Sequence, residues 1–522
     1  MSEKNRIIKG AFTLFAAGAA VKILGLIFKI PLQYLLGDTG MGYFNVAYNI
    51  YAWFYIISTA GLPVSVSVNV ARANADGNMQ KCKVIFRCAV TVFSLFGSLC
   101  SVIMAVFCRT LAAASSVINS VYCIAAVAPS VLFGCISSAV RGYYQGFGIM
   151  WPSAVSQVIE AFGKLAFGLI FALISSYNGA PPHIAAAYAI LGVTCGTACS
   201  ALFCITVKLF YRRIRTSKNC VPLRKTVINE LLKTALPVTV SSAVMNLTGL
   251  IDVFAAPSRL LKIGYSEAQS TEIFGNYTTL AVPMMNLPLI FVYPITSAAL
   301  PVLTAEYAKG CKQRIASVKN SLYKPVLMIS LPCAIGLSVM AGPVLSLIFN
   351  ERSAQLAAPM LAVLAPASAL CALLAASDTV LSAKYKAHYT VISMLAGSIV
   401  KFISTSFLMT VIGRIAIPAG TCLCYLTALM INLLLSREKS VCISFNDFIK
   451  PALSGALCGI SAFYVYKLSC QYLSNDISCA VSVASAAAIY FASLYISGYF
   501  EPEQIKEVLE KFKKRKSAND RI

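Results

Sequence analysis

The sequence predicts an all-α polytopic membrane protein of about fourteen transmembrane helices, arranged as two six-helix lobes and an extra C-terminal pair. Three observations carry this. Apolar stretches of about 20 residues or more recur along the whole chain, each long enough to cross a hydrocarbon core of roughly 30 Å. Hydrophobic residues make up 58% of the 522 and charged residues only 12%, against about a quarter charged in soluble proteins. The basic residues fall in alternate gaps between the apolar stretches.

The spans read at approximately 8–36, 41–70, 83–108, 117–143, 152–176, 183–211, 228–256, 272–303, 320–348, 355–383, 388–412, 415–436, 448–472 and 476–499. The first is too long for a signal peptide and lacks a clean small-residue cleavage site, so it reads as a retained helix. Even gaps are basic: Arg72–Lys81–Lys83–Arg87, Lys208–Arg212–Arg213–Arg215, Lys309–Lys312–Arg314 and Lys384–Lys386, together with Lys4–Arg6–Lys9 at the start and the tail from Lys506 to Arg521. Odd gaps are short and nearly uncharged. This asymmetry places both termini in the cytoplasm, on a multi-pass inner (plasma) membrane protein. It also explains the net charge of +24 without nucleic acid, which is excluded as a partner.

The longest basic gap follows the sixth span and divides the chain. Residues 1–211 form an N-lobe, 212–227 a basic linker, 228–436 a C-lobe, 437–499 an accessory helix pair and 500–522 a basic tail. A weak repeat supports the division. Leu62-Pro63-Val64 in span 2 and Leu300-Pro301-Val302 in span 8 sit six spans apart, as in transporters that rock one half against the other. The 19 cysteines are scattered through apolar spans, with only His183 and His388 beside them. They read as buried apolar thiols, and no metal site is expected.

Ionisable groups at bilayer depth are functional candidates by default, because each costs at least about 2.5–3.5 kcal/mol on insertion scales. In span 1, Gly18, Lys22, Gly25 and Lys29 fall on one helical stripe. Small residues and cations together predict a face turned to a water-filled cavity. Lys22 lies roughly 20 Å from the cytoplasmic start of the helix, a long reach for snorkelling. Span 5 carries Gln157, Glu160 and Lys164, the last two in the favourable order for an i,i+4 ion pair; they read equally as site residues or as a self-neutralising pair. Asn246 and Asp252 in span 7 and Lys401 in span 11 lie inside apolar runs without a local partner. Cavity roles are expected for Asp252 and Lys401, with a structural lock across helices as the alternative. Pro283, Pro288, Pro294 and Pro301 predict a kinked or broken span 8. A cationic cavity with few acids suits pyrophosphate.

Several segments resemble a known family. Lys22-Ile-Leu-Gly25 through Lys29-Ile-Pro-Leu32, Leu36-Gly-Asp-Thr-Gly-Met-Gly42 and Ser58-Thr-Ala-Gly-Leu-Pro-Val64 are similar to the start of the stage V sporulation protein B and MurJ-like lipid II flippases, a branch of the multidrug/oligosaccharidyl-lipid/polysaccharide exporter superfamily. So are Arg141-Gly-Tyr-Tyr-Gln-Gly146, Pro152-Ser-Ala-Val-Ser-Gln-Val-Ile-Glu160, Leu236-Pro-Val-Thr239 and Leu250-Ile-Asp252. The resemblance implies two six-helix lobes in a V around a central cavity, with the extra pair 448–499 forming a groove for a polyprenyl tail. It maps a diphosphate-binding cation site onto Lys22 and Lys29, and sets Arg141 at the cytoplasmic mouth. The segment Ala375-Ala-Ser-Asp-Thr-Val-Leu-Ser-Ala383 departs from the Gln-Gly-rich turn the family carries there.

The expected function is therefore transport without covalent chemistry: flipping of a polyprenyl-diphosphate-linked sugar from the inner to the outer leaflet by alternating access. No enzyme activity and no cofactor are expected, beyond a coupling monovalent cation or the membrane potential. Expected partners are the lipid-linked oligosaccharide and membrane lipids, with the protein a monomer. The rival readings are a cation-coupled multidrug antiporter of the same superfamily, a membrane glycosyltransferase, which the short loops disfavour, and a non-transport scaffold in envelope or spore assembly.

Overall fold

The computed structural model describes residues 3–210, 224–436 and 445–499. The tail 500–522 and most of the basic linker 212–227 lie outside them. All regular structure among the described residues is helical. Among the described residues, twelve helical runs are long and apolar enough to cross a membrane, and the protein is a multi-pass membrane protein. The run Ala16–Ala75 covers the first two spans read from the sequence, and Ala387–Leu435 covers the eleventh and twelfth. The structure counts runs rather than crossings, so fourteen remains the number read from the sequence.

The breaks have local causes. The helical run Glu3–Thr59 is interrupted at Gly37, with φ 65° and ψ 178°, a region of backbone space open essentially to glycine. Span 7 is split into Arg224–Met245 and Leu247–Lys262 at Asn246. Span 8 is broken, as its prolines require: Glu267–Asn276 runs into a π-helical turn at Tyr277–Ala281, then Val282–Asn286, then Leu289–Lys309. Pro288 precedes the last piece, where a missing N–H costs no helical bond. Span 10 is also two helices, Glu351–Leu364 and Pro366–Ala383, with Pro366 opening the second.

By packing, the chain divides into two compact units. One comprises Met1–Pro283, Phe349–Ala357 and Met394–Cys424; the other comprises Met284–Ile348, Ala358–Ser393 and Tyr425–Ile522. These units follow packing and are not the lobes read along the chain. The first unit has an apolar core that includes Leu62, Val66, Ile85, Tyr143, Tyr144 and Leu231. Its helices Trp151–Tyr177 and Pro182–Phe210 approach closely through glycines. A Cβ on Gly163 would lie 2.8 Å from the Gly196 Cα, and one on Gly192 would collide with the Gly168 backbone. Gly192 and Gly196 form a small-xxx-small pair, the device by which membrane helices gain contact without a hydrophobic drive.

In the second unit, the accessory helices Phe445–Ser469 and Asn475–Ile496 pack on Lys312–Val339. The Tyr490 hydroxyl donates to the Met328 carbonyl at 2.7 Å, and Lys324 pairs with Asp447 at 3.2 Å. Gly455 gives Ile335 room, since a Cβ there would lie 2.9 Å from its Cδ1.

Gly192→Val should destabilise the protein by about 1–3 kcal/mol through overpacking. Gly336→Ala, with nothing within 4 Å of the added Cβ, should be neutral. Thermal denaturation in detergent, followed by size-exclusion chromatography, reads both; equal stability of the two variants contradicts the packing described.

Candidate functional site

The sequence-predicted charges sort into two kinds of place. Arg141, on the helix Ser130–Gly146, is buried. Its Nε donates to Ser156 Oγ at 2.8 Å, and its Nη2 donates to Glu160 Oε2 and to Ser200 Oγ, each at 2.8 Å. The other Glu160 oxygen, Oε1, accepts from Lys164 Nζ at 2.8 Å. Glu160 thus bridges two cations inside the first unit, and the triad keeps one net positive charge. Ser200 Oγ donates in turn to the Ser156 carbonyl at 3.1 Å. Tyr55 lies within electrostatic reach of all three charged groups. Gln157 is half-buried on the same helix as Glu160. The i,i+4 pair was readable from spacing; the third member and the two serines come from other turns and helices, and no spacing signals them.

Asp252 and Lys401 find each other as well. Lys401 is 1% exposed, and its Nζ donates to Asp252 Oδ2 at 2.7 Å and to the Thr248 carbonyl at 3.2 Å. This is the geometry of a lock across helices. Asp252 Oδ1 is buried and has no hydrogen-bond partner among the described residues. Asn246 stands apart from the pair: it is exposed, and its amide donates to the Ser242 carbonyl at 2.9 Å.

The span-1 stripe is different. Lys22 is exposed. Gly18 and Gly25 have nothing within 4 Å of where a Cβ would stand, so this face of the helix is unpacked. Lys29 is half-buried and donates to the Thr278 carbonyl in the π-helical turn at 3.2 Å. Its ammonium meets a backbone carbonyl where Arg141, Lys164 and Lys401 each meet a carboxylate. Lys22, on the open stretch, and Lys29, half-buried against the π-helical turn, thus share one side of the helix. Among the described residues, no three His, Cys, Asp or Glu side chains gather as a metal ion would need.

Removing one member of a buried pair leaves its partner uncompensated, at a cost of about 3–5 kcal/mol. Glu160→Gln should lower stability by that order, and Arg141→Gln likewise. The double variant should lose clearly less than the sum, because the two groups couple directly. A thermal double-mutant cycle in detergent measures this, and strictly additive losses would rule the coupling out.

The fold has known counterparts. The chain is 23% identical to the lipid II flippase MurJ of Bacillus subtilis (strain 168) over 524 residues, covering 95% of each protein. It is 25% identical to that organism's stage V sporulation protein B over 525 residues, covering 97% of this chain and 98% of the relative. Among solved structures, it resembles a lipid II flippase MurJ in an inward closed conformation, with a TM-score of 0.71 at 13% identity, covering 92% of this chain and 98% of the other. It also resembles a multidrug resistance MATE family transporter of the MOP superfamily in an inward-facing conformation, with a TM-score of 0.64 at 15% identity over 81% of this chain and 93% of that one. One of these relatives is named as a lipid II flippase, and the chain shares the fold of the two solved structures. The polysaccharide biosynthesis protein family matches residues 7–307, more than half of the chain, and the protein belongs to that family.

Proposed function

We propose that this protein moves a polyprenyl-diphosphate-linked sugar precursor, of the lipid II kind or a related polysaccharide intermediate, from the inner to the outer leaflet. The observation that carries the proposal is the unpacked span-1 face, with Lys22 exposed between Gly18 and Gly25. Two ammonium groups seven residues apart stand on one side of a helix, about 10 Å along its axis, a spacing suited to a diphosphate and its hydroxyl-rich neighbour. The name of one Bacillus relative, the lipid II flippase MurJ, supports the substrate class.

In the proposed cycle the head group enters from the cytoplasmic side, the lysines hold the diphosphate, and the prenyl chain stays in the bilayer. The two sequence lobes then exchange which side is open. The broken span 8 supplies bends at which such a movement can occur. The drive is the membrane potential or a coupled monovalent cation, both termini face the cytoplasm, and the protein works as a monomer. The multidrug antiporter reading is less well supported, since Glu160 and Asp252 are both engaged by cations of the chain itself and are not left to bind a cationic drug.

The test is outer-leaflet accessibility of the lipid-linked precursor in cells depleted of their own flippase. The wild-type chain should restore exposure, and Lys22→Ala and Lys29→Ala should each lower it by about tenfold or more, the scale of a lost charge-assisted contact. If a well-folded wild-type chain leaves the precursor on the inner side, the substrate class is wrong. If both variants match the wild type, the substrate class stands and the cation site is wrong.

A further inference from the structure

The segment Arg141-Gly-Tyr-Tyr-Gln-Gly146 has two tyrosines that the proposed cycle does not use. Tyr143 and Tyr144 are 1% and 4% exposed. With Phe86 they form an aromatic seat under Lys208. The Lys208 Nζ stands 3.4 Å from the Tyr143 ring centroid, 4.4 Å from that of Phe86 and 5.9 Å from that of Tyr144. The Tyr144 hydroxyl donates to the Val207 carbonyl at 3.3 Å, which fixes the last turn of the helix carrying Lys208.

Ring faces attract an ammonium, but they are weak acceptors for its three N–H donors, which an anion's oxygens would satisfy better. Among the described residues, no carboxylate or carbonyl takes those donors. The charge of Lys83, in the first turns of Met79–Val106, acts on Lys208. Arg87, one turn along from Lys83, is exposed. Lys81 is already paired with Glu230 at 3.5 Å. The helix Met79–Val106 presents its N-terminus at this end, where the backbone dipole adds further positive potential. A cation backed by aromatic rings, with the charge of a second acting on it, is a site for an anion.

We propose that Lys208 and Lys83 bind the phosphate of an anionic phospholipid, in the leaflet that the basic gaps assign to the cytoplasm. The apolar surroundings favour a lipid over a free ion. Leu209 and Phe210, directly after Lys208, are 62% and 88% exposed, and they offer acyl chains a surface beside the head-group charges. Basic sites between membrane helices on the cytoplasmic side hold lipid head groups in this way. The site is separate from the span-1 stripe and stands or falls independently of the flippase reading. It gives the motif two tasks: Arg141 closes the ionic network, and the tyrosines carry the head-group lysine.

The test is native mass spectrometry of the full chain in detergent, titrated with phosphatidylglycerol, phosphatidylcholine or inorganic phosphate. The wild type should retain phosphatidylglycerol in preference to phosphatidylcholine. Lys83→Gln with Lys208→Gln should weaken that binding about thirtyfold, from about fivefold for each cation near a lipid head group. Lys309→Gln, at a basic position outside this cluster, should leave it unchanged. Lys208→Gln alone, expected near fivefold, serves if the double variant elutes as aggregate. Equal retention of the two lipids by the wild type overturns the proposal, as does unchanged phosphatidylglycerol binding in the variants. Displacement of phosphatidylglycerol by inorganic phosphate at equal concentration would assign the site to a free ion and overturn the lipid.

Discussion

Both oxygens of Glu160 are taken by cations, one from its own helix and one from Ser130–Gly146. A lone carboxylate among apolar helices would be neutralised or expelled, and a lone guanidinium would drag water inward. The bridge removes both problems and joins the elements that supply Arg141, Glu160 and Ser200. The glycine contact beside it is part of the same solution. A Cβ on Gly196 would lie 2.7 Å from the Glu160 carbonyl and 2.9 Å from the Lys164 Cγ. The helix Pro182–Phe210 can approach the charged turn only because that position is bare.

Lys401 and Asp252 repeat the principle with two members. The chain therefore separates charges that hold helices together from charges that face open space. The first kind is met by carboxylates of the protein. The second, on the span-1 stripe, has a helix face with no packing against it at Gly18 and Gly25. The proposed cycle needs both: rigid bodies that do not dissolve into the lipid, and a surface that can exchange its counter-ion.

Much of this was legible in the sequence. Length, hydropathy and the alternation of basic gaps are enough for an all-α membrane fold, because each apolar run must satisfy its backbone internally. The breaks at Gly37 and in the proline-rich span 8 were partly readable, the second from Pro283 and Pro288. The Glu160–Lys164 pair followed from i,i+4 spacing. Arg141 joining it did not, since a contact between residues nineteen apart on different helices leaves no periodic trace. Lys401 and Asp252 were each visible as costly groups, but their meeting across 149 positions is a property of packing. The seat of Lys208 was equally hidden, since Phe86 and Tyr143 reach it from two other helices.

The internal pairing of charges has an electrical consequence. The Asp252–Lys401 pair is neutral as a unit, so carrying it through a field does no work. Beyond the one net charge of the Arg141–Glu160–Lys164 triad, which is the same loaded and empty, the cations of the stripe and the diphosphate of the cargo sense voltage in the proposed cycle. Loaded, they largely cancel. Empty, two ammonium groups remain, each worth up to about 2.3 kcal/mol per 100 mV if it traverses the whole field. An inside-negative potential then acts mainly on the unladen return, drawing the lysines back toward the cytoplasm. In that arrangement the cell's voltage resets the carrier more than it pushes the cargo.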